Sequence, residues 1–446
     1  MKKEVVTKDE LDRWIREAKM NAEFPQHRAH GMYGDPKLDK INRDKKVMKK
    51  EFLDLGKQPI ANKFLNEDEI TDEFFFNLKV VFDEETKLVS LKEFVKPELM
   101  FNDEYKYNTS LSVPMVKHFK DTASHLKELR QQWGYKTNNV LEIGSNDGPF
   151  IKNFQNGICV EPCGNFAKVT EDMGYKTYTD FWSIDLAEKI VEADGKMDLI
   201  YAANCICHIQ DLDECFTAVK NTLSEKGMFV FEDPSLLRMM ERGSYDQIYD
   251  EHAHVFSVTA LKKILARNGL LIFRVDNLSI HGGSNRIYVR HINVNSDMLD
   301  TRGSVFTAIR EEKEFRIDKF ETYEIFADRV KKSKEDLVKK LSELKEAEKK
   351  VASYGATSKS TTVFNYCGID ETLIECITDT TPDKQGLLAP GSHIPVVERE
   401  SVNLKDFDYV FLGAWNFKDS IANRERDFIE AGGKFITHVP EVMEFS

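Results

Sequence analysis

The sequence has no run approaching the roughly 18 apolar residues of a membrane-spanning helix, and Met1 to Glu10 contains no apolar core of the kind a secretory leader needs. A soluble protein with no membrane partner is expected. Positive charge is short as well: 63 Lys and Arg face 76 Asp and Glu, a formal net charge of -13, which argues against a general nucleic-acid binder with its basic footprint. Any anionic ligand must therefore meet local donors. Cysteine is scarce and odd in number, at Cys159, Cys163, Cys205, Cys207, Cys215, Cys367 and Cys376, so no disulfide framework is expected and the reducing cytoplasm is the compartment that fits. None lies before Cys159.

What is present is ample for several cores. The 446 residues are 41% hydrophobic, and a chain of this length divides into two or three domains. Residues 1–50 are charged and aperiodic and read as an N-terminal extension. Over 51–107, apolar runs at Phe52 to Leu55, Phe74 to Phe82 and Leu88 to Phe94 alternate with turn signals, the last two reading as a β-hairpin. Val113, Val116, Phe119, Leu126 and Leu129 then fall at helical spacing. Within 108–303, strands alternate with helices at Val140 to Ile143, Ile158 to Val160, Asp198 to Ala202, Met228 to Phe231, Leu270 to Asp276 and Arg286 to His291. That is α/β order. The last pair is joined only by His281-Gly282-Gly283-Ser284, too short for a crossover helix, so an antiparallel hairpin should close an otherwise parallel sheet. Residues 304–350 read as a charged helical connector, a solvated spacer with Val330, Leu337, Leu341 and Leu344 as its apolar stripe. Residues 351–446 read as a second, smaller α/β unit with strands at Lys350 to Ser353, Ile377 to Asp379 and Tyr409 to Leu412.

Three stretches carry candidate chemistry. In Val140 to Gly148, an apolar strand ends in Glu142 and turns through Gly144-Ser145-Asn146-Asp147-Gly148, where the glycines let backbone pass close to a bound adenosyl group. Nineteen residues after Glu142 comes Glu161, at the tip of the next strand, where a carboxylate can accept ribose hydroxyls. A dinucleotide would use the same acid. The loop lacks the Gly-x-Gly-x-x-Gly spacing that cradles a pyrophosphate, and the sheet closes with an antiparallel hairpin; both favour S-adenosylmethionine. The second stretch, Tyr249-Asp250-Glu251-His252-Ala253-His254, sets histidine beside tyrosine and carboxylate, a combination suited to proton abstraction; its spacing is wrong for a zinc site. The third, Asn204-Cys205-Ile206-Cys207-His208, follows a strand and so opens on the crevice at the sheet's carboxyl edge, with its two cysteines read as core thiols.

Taken in order, these stretches resemble the sugar C-methyltransferases that act on nucleotide-linked 4-keto-deoxysugars. The likeness includes Leu53 to Asn62, Met100-Phe101-Asn102 with Tyr105 to Ser110, Glu142 to Gly148, Ile248 to His252 and His281 to Ser284. It continues through Tyr354-Gly355-Ala356, Asp379 with Lys384-Gln385-Gly386, Pro390-Gly391 and Ala414 to Phe417. The fold implied is α/β: a central class I methyltransferase Rossmann-like sheet, a small N-terminal β-containing domain on the substrate side and a C-terminal Rossmann-like domain. The activity implied is transfer of a methyl group to a ring carbon next to a ketone.

The resemblance also assigns residues. His252 becomes the general base, Tyr249 and Glu251 stand beside it, His208 lies near the ketone oxygen, and Tyr105 or Tyr107 closes the pocket. Cofactor contacts fall on Glu142, Gly144, Asn146, Asp147, Gly148, Glu161, Phe181 and Asn204, and substrate contacts on Ser284, Arg286, Tyr354 and Lys359. Lys359 beside the Gly355 turn, or Arg286, would supply cationic charge for a diphosphate. Two departures from the family pattern stand out. Relatives hold zinc in the N-terminal domain through two Cys-x-x-Cys pairs, whereas this chain has no cysteine there, so zinc is not expected and the hairpin should be held by packing of Val81, Phe82 and Leu88. Asp250 replaces a histidine common in relatives. The identity of the sugar and the oligomeric state are left open, a monomer being compatible with the sequence.

Overall fold

The chain is described by a computed structural model over residues 49–293 and 303–446, with positions 13 and 16; the extension expected over 1–50 lies almost wholly outside the described residues. Alternating apolar residues make β1 (Lys49–Pro59) and β2 (Phe75–Asp83) an antiparallel pair, and β2 turns into β3 (Val89–Leu91). The turn has a local cause. Asp83 Oδ1 accepts the N–H groups of Glu85 and Thr86 at 2.8 and 3.0 Å, the side-chain cap that makes aspartate a turn former. Val81 and Phe82 are buried and Leu88 packs at the edge of a core.

The central sheet contains β4 (Val140–Ile143), β5 (Gly157–Val160), β6 (Lys176–Tyr178), β7 (Met197–Ala203), β8 (Leu223–Pro234), β10 (Leu270–Leu278) and β11 (Ser284–His291). Its order is β10-β11-β8-β7-β4-β5-β6. Strands β4 to β8 run parallel, while β11 is antiparallel to both β8 and β10. This is the class I methyltransferase sheet, closed by the short hairpin that the Gly282-Gly283 connector requires. β7 reads Met-Asp-Leu-Ile-Tyr-Ala-Ala and is buried over most of its length because helices cover both faces. The strand order reverses about β4, so β4 and β7 open a crevice at their carboxyl ends. Between β8 and β10 the chain returns to the N-terminal sheet, where β9 (His254–Val255) pairs with β3. That pairing anchors the Tyr249–His252 loop against the first domain.

Residues 304–350 differ from the expected spacer. They form two helices, Ser304–Glu314 and Phe320–Glu346, and the stripe of Val330, Leu337, Leu341 and Leu344 is buried with Tyr323 and Phe326. Tyr323 packs against Phe82 and Phe52 with ring centroids 4.5 and 5.0 Å away. One apolar core thus joins the long helix, the N-terminal sheet and the last domain; the charged residues are only its outer face. The last sheet runs β14-β13-β12-β15-β16-β17, from β12 (Val351–Tyr354), β13 (Ile377–Asp379), β14 (Val396–Glu398), β15 (Tyr409–Leu412), β16 (Lys434–Thr437) and β17 (Met443–Phe445). All but β17 are parallel. Among the described residues, no helix is long and apolar enough to cross a membrane.

Candidate active site

A cavity of about 870 Å³ opens between the three domains, walled by the ends of β4, β5 and β7, by the Tyr249–His252 loop, by Asn62 and Tyr105, and by the turn after β12. The loop after β4 bends through left-handed residues at Gly144, Asn146 and Gly148, with φ of 69, 47 and 77°. Gly144 is the sterically demanding position, since a Cβ there would stand 2.7 Å from Cys205 Sγ. Glu161 ties the loop to β5: its carboxylate accepts Asn146 N–H at 2.7 Å and Cys163 N–H at 3.0 Å. Glu142 accepts Ile151 N–H at 3.0 Å, and burial pushes its carboxyl well above the usual range.

Of the expected cofactor residues, Glu142, Gly144, Asn146, Glu161, Phe181 and Asn204 reach the cavity. Asp147 and Gly148 are not on its wall. Asp147 instead accepts Ser110 N–H at 3.1 Å, and Asn146 bonds both Thr109 N–H and the Tyr107 carbonyl, at 3.0 and 2.9 Å. The loop's polar side chains thereby hold the segment that carries Tyr105 and Tyr107 over the cavity.

Tyr249, His252 and Gln247 form a hydrogen-bonded chain on one wall of the cavity. His252 Nδ1 is 2.6 Å from the Gln247 carbonyl and so carries the ring proton, which leaves Nε2 to accept from the Tyr249 hydroxyl at 2.8 Å. Burial brings His252 down to about 4, leaving a neutral imidazole at pH 7. His208 stacks on His252 with centroids 5.4 Å apart and on Phe101 at 5.3 Å, its Nε2 buried without a partner among the described residues. Burial, then the neighbouring His252, hold it well below the ordinary imidazole value. Glu251 accepts Asn62 Nδ2 at 2.6 Å and the Tyr105 hydroxyl at 3.0 Å, so the first domain supplies both donors. Cys207 is buried in the central core.

On the opposite wall, Tyr354 is held by hydrogen bonds to Glu425 and from Arg424, at 3.1 and 3.3 Å. Lys359 lies in the first turn of the helix Ser358–Cys367, whose N-terminus Thr357 caps, and burial lowers the ammonium's pKa. Arg286 and Ser284 are not on the cavity wall. Arg286 lies in the central sheet, its Nε donating to Glu232 at 2.6 Å and its Nη2 to Thr122 at 2.5 Å, while the Ser284 hydroxyl donates to the Ile280 carbonyl. Among the cavity residues not singled out from sequence are Asn62, Gln247, His281, Asp379 and Lys384. Asn62, His281, Asp379 and Lys384 stand within the stretches that carry the family likeness; the partners of Asn62, His281 and Lys384 lie 189, 77 and 28 positions away, too far to be read.

A C-methyltransferase C-terminal domain model matches residues 279–440, and a methyltransferase domain model matches 115–274. C-methyltransferase NovU of Streptomyces niveus is 29% identical over 397 residues, 88% of this chain and 93% of that one. The chain belongs to the S-adenosylmethionine-dependent C-methyltransferases. Solved structures similar to part of this C-methyltransferase include an S-adenosylmethionine-dependent methyltransferase from Clostridium acetobutylicum (15% identity, 39% of this chain and 92% of that chain, TM-score 0.31). Another is magnesium protoporphyrin IX methyltransferase from Synechocystis PCC 6803 with bound SAH (13% identity, 39% and 84%, TM-score 0.30). A zinc binding domain model matches residues 45–101 of the C-methyltransferase, a segment with neither cysteine nor histidine. These residues do not fit the thiolate and imidazole donors of a structural zinc site. The sheet there is held by buried Leu78, Val80 and Phe82 and by Glu51, which accepts from Lys79 and Lys92 at 3.2 and 2.9 Å.

Proposed function

We propose that the acceptor is a nucleotide-linked keto-deoxysugar and that the methyl group goes to the ring carbon next to its ketone. The observation that carries this reading is the Gln247–His252–Tyr249 chain, which presents a neutral imidazole, through a phenol, to a cavity bordered on one side by the cofactor loop. Oxygen or nitrogen acceptors already carry a lone pair and need not lose a proton before they attack. A carbon acceptor does, because a C–H bond must be broken before carbon can attack.

Glu161, Asn146, Phe181 and Asn204 would hold S-adenosylmethionine, which supplies a methyl group on a positively charged sulfur. As the proton leaves the ring carbon it arrives on the Tyr249 oxygen, while Tyr249's own proton moves to His252 Nε2. The electron pair left behind makes the enolate. Its charge develops beside His208 and the Tyr105–Glu251 pair, groups fixed before reaction begins. When the carbon attacks, the new C–C bond forms as the C–S bond breaks, and the bonding pair stays on sulfur. Lys359 and Lys384, on the last domain's face of the cavity, supply local cations for the diphosphate of an otherwise acidic protein.

Labelled S-adenosylmethionine offered with a panel of nucleotide 4-keto sugars tests the reading. A product bearing the label on carbon is expected, and His252→Ala should retain cofactor binding while losing at least about a hundredfold in rate, the usual contribution of a general base. Label on oxygen or nitrogen, or full rate in His252→Ala, contradicts it.

A further inference from the structure

Three consecutive residues between β10 and β11 stand in the left-handed region: His281, Gly282 and Gly283, at φ of 50, 84 and 117°. For the glycines the reason is steric. A Cβ on Gly282 would lie 2.5 Å from the Trp415 ring, and one on Gly283 2.8 Å from Arg238 Cβ. His281 has no such reason, since asparagine or glycine would hold that backbone more easily. The connector is fixed on both sides: Gly283 N–H donates to the Ile280 carbonyl at 2.8 Å, and Arg242 donates to the Gly282 carbonyl.

The imidazole held this way faces the cavity. Its Nε2 is 3.3 Å from Asn204 Nδ2, and Asn204 is itself left-handed, at φ 48°, with its N–H bonded to the Glu232 carbonyl at 2.7 Å. Two left-handed non-glycine residues thus meet at the crevice, His281 in a conformation that asparagine would hold more easily, and residues kept in sparsely populated backbone regions cluster at working sites. With the amide donating, Nε2 is the acceptor and the ring proton sits on Nδ1, which has no partner among the described residues. Burial first, then Lys359, keeps the ring unprotonated at neutral pH, with its pKa down at about 3. The packing of Gly282 on Trp415, over which Lys359 lies at 5.9 Å, puts His281 beside the last domain, with Lys359 and His252 both near enough to act on its ring electrostatically.

We propose that His281 is a substrate-contact residue, whose Nδ1–H donates a hydrogen bond to a non-reacting oxygen of the nucleotide-linked sugar. The inference rests on the acceptor class argued above. A contact made equally in ground and transition states lowers KM without raising kcat.

The test compares the full-length protein with His281→Gly, which relieves the left-handed backbone, and with His281→Asn, which tolerates it. Wild-type methylation of nucleotide 4-keto sugars is measured first, and the acceptor it uses is then given to both variants. Expected are a melting temperature for His281→Gly no lower than wild type, an S-adenosylhomocysteine affinity that changes less than the acceptor KM, and a KM for the acceptor raised roughly three- to tenfold, the worth of one neutral hydrogen bond, with kcat moving less. His281→Asn should fall between. An unchanged KM in both variants, or a fall in melting temperature in both, overturns the assignment and leaves the acceptor class standing. A wild type that methylates no keto sugar in the panel overturns the acceptor class, and the assignment with it.

Discussion

Asp250 is a residue whose surroundings say more than its charge. Its Oδ1 accepts Ala61 N–H at 3.0 Å, while Thr361 Oγ1 donates to the carbonyl of the same Ala61 at 3.1 Å, so side chains from the two other domains grip one residue of the first. Burial, then the adjacent Glu251, push the Asp250 carboxyl well above its usual range, which favours an uncharged acceptor. Asp250→Asn keeps that acceptor and should cost less than about 1 kcal/mol, whereas Asp250→Ala strands a buried N–H and should cost about 1–3 kcal/mol with a loss of activity. Denaturant titrations measure both; equal damage from the two variants would contradict a neutral Asp250. His252 allows a pH prediction. Its folded value of about 4 lies below the ordinary 6.5, so the acid limb of kcat/KM should fall towards pH 4, and a limb near 6.5 would contradict a buried base. The same shift stabilises the fold fully above pH 6.5, and that contribution is lost as pH falls from 6.5 towards 4, because the unfolded chain takes up the proton first. Sequence could place His252 beside Tyr249 and Glu251. It could not show that Gln247 fixes the tautomer.

Among elements, those read from sequence were the ones whose patterns answer to burial. β4, β7 and β15 are largely apolar runs bounded by polar residues, and the β10–β11 hairpin followed from connector length alone. The unread strands are short or lie at edges: β6 is Lys-Thr-Tyr, β9 is two residues, and β14 and β17 take three each. They exist because a neighbour offers free backbone groups, and a three-residue stretch has no period to detect. β11 shows a second limit. It is buried along nearly its whole length, so alternation cannot tell which side chains face a ligand. Arg286, an attractive cation in the sequence, pairs with Glu232, whose other oxygen is 2.6 Å from His118 Nε2. Arg286→Met should therefore cost about 3–5 kcal/mol by taking the guanidinium away from a buried carboxylate, which is left with His118, with cofactor affinity in the surviving folded fraction little changed. Thermal or denaturant unfolding with a parallel binding titration distinguishes this from direct contact with the substrate.

At the scale of the whole molecule, the cavity exists only because distant segments meet. Asn62 and Glu251 are 189 positions apart, Tyr105 and Glu251 146, and Gln58, which donates to the Thr362 carbonyl, 304. Such pairings have no local signature, so the cavity's outer wall was legible only through the ordered likeness to a family, while the tight turn after β4 was legible from glycine spacing. The buried long helix explains how a first domain with no cysteine or histidine can stay docked: Tyr323 and Phe326 pack in one core with Phe82 and Leu78, and burial of each large side chain is worth about 1.5–3 kcal/mol. Docking matters for chemistry because Tyr105 and Asn62 reach Glu251 only from there. On the proposed reading, this assembled cavity removes a proton from carbon before any methyl group moves. The most direct measurement is deuterium uptake: the protein, its keto-sugar acceptor and S-adenosylhomocysteine in place of the methyl donor are incubated in heavy water, and the carbon next to the ketone is followed by NMR. Exchange at that carbon is expected with wild type, and its loss in His252→Ala and Tyr249→Phe variants that still bind S-adenosylhomocysteine. Methylation of the acceptor without such exchange, or exchange at the wild-type rate in His252→Ala, would contradict that reading.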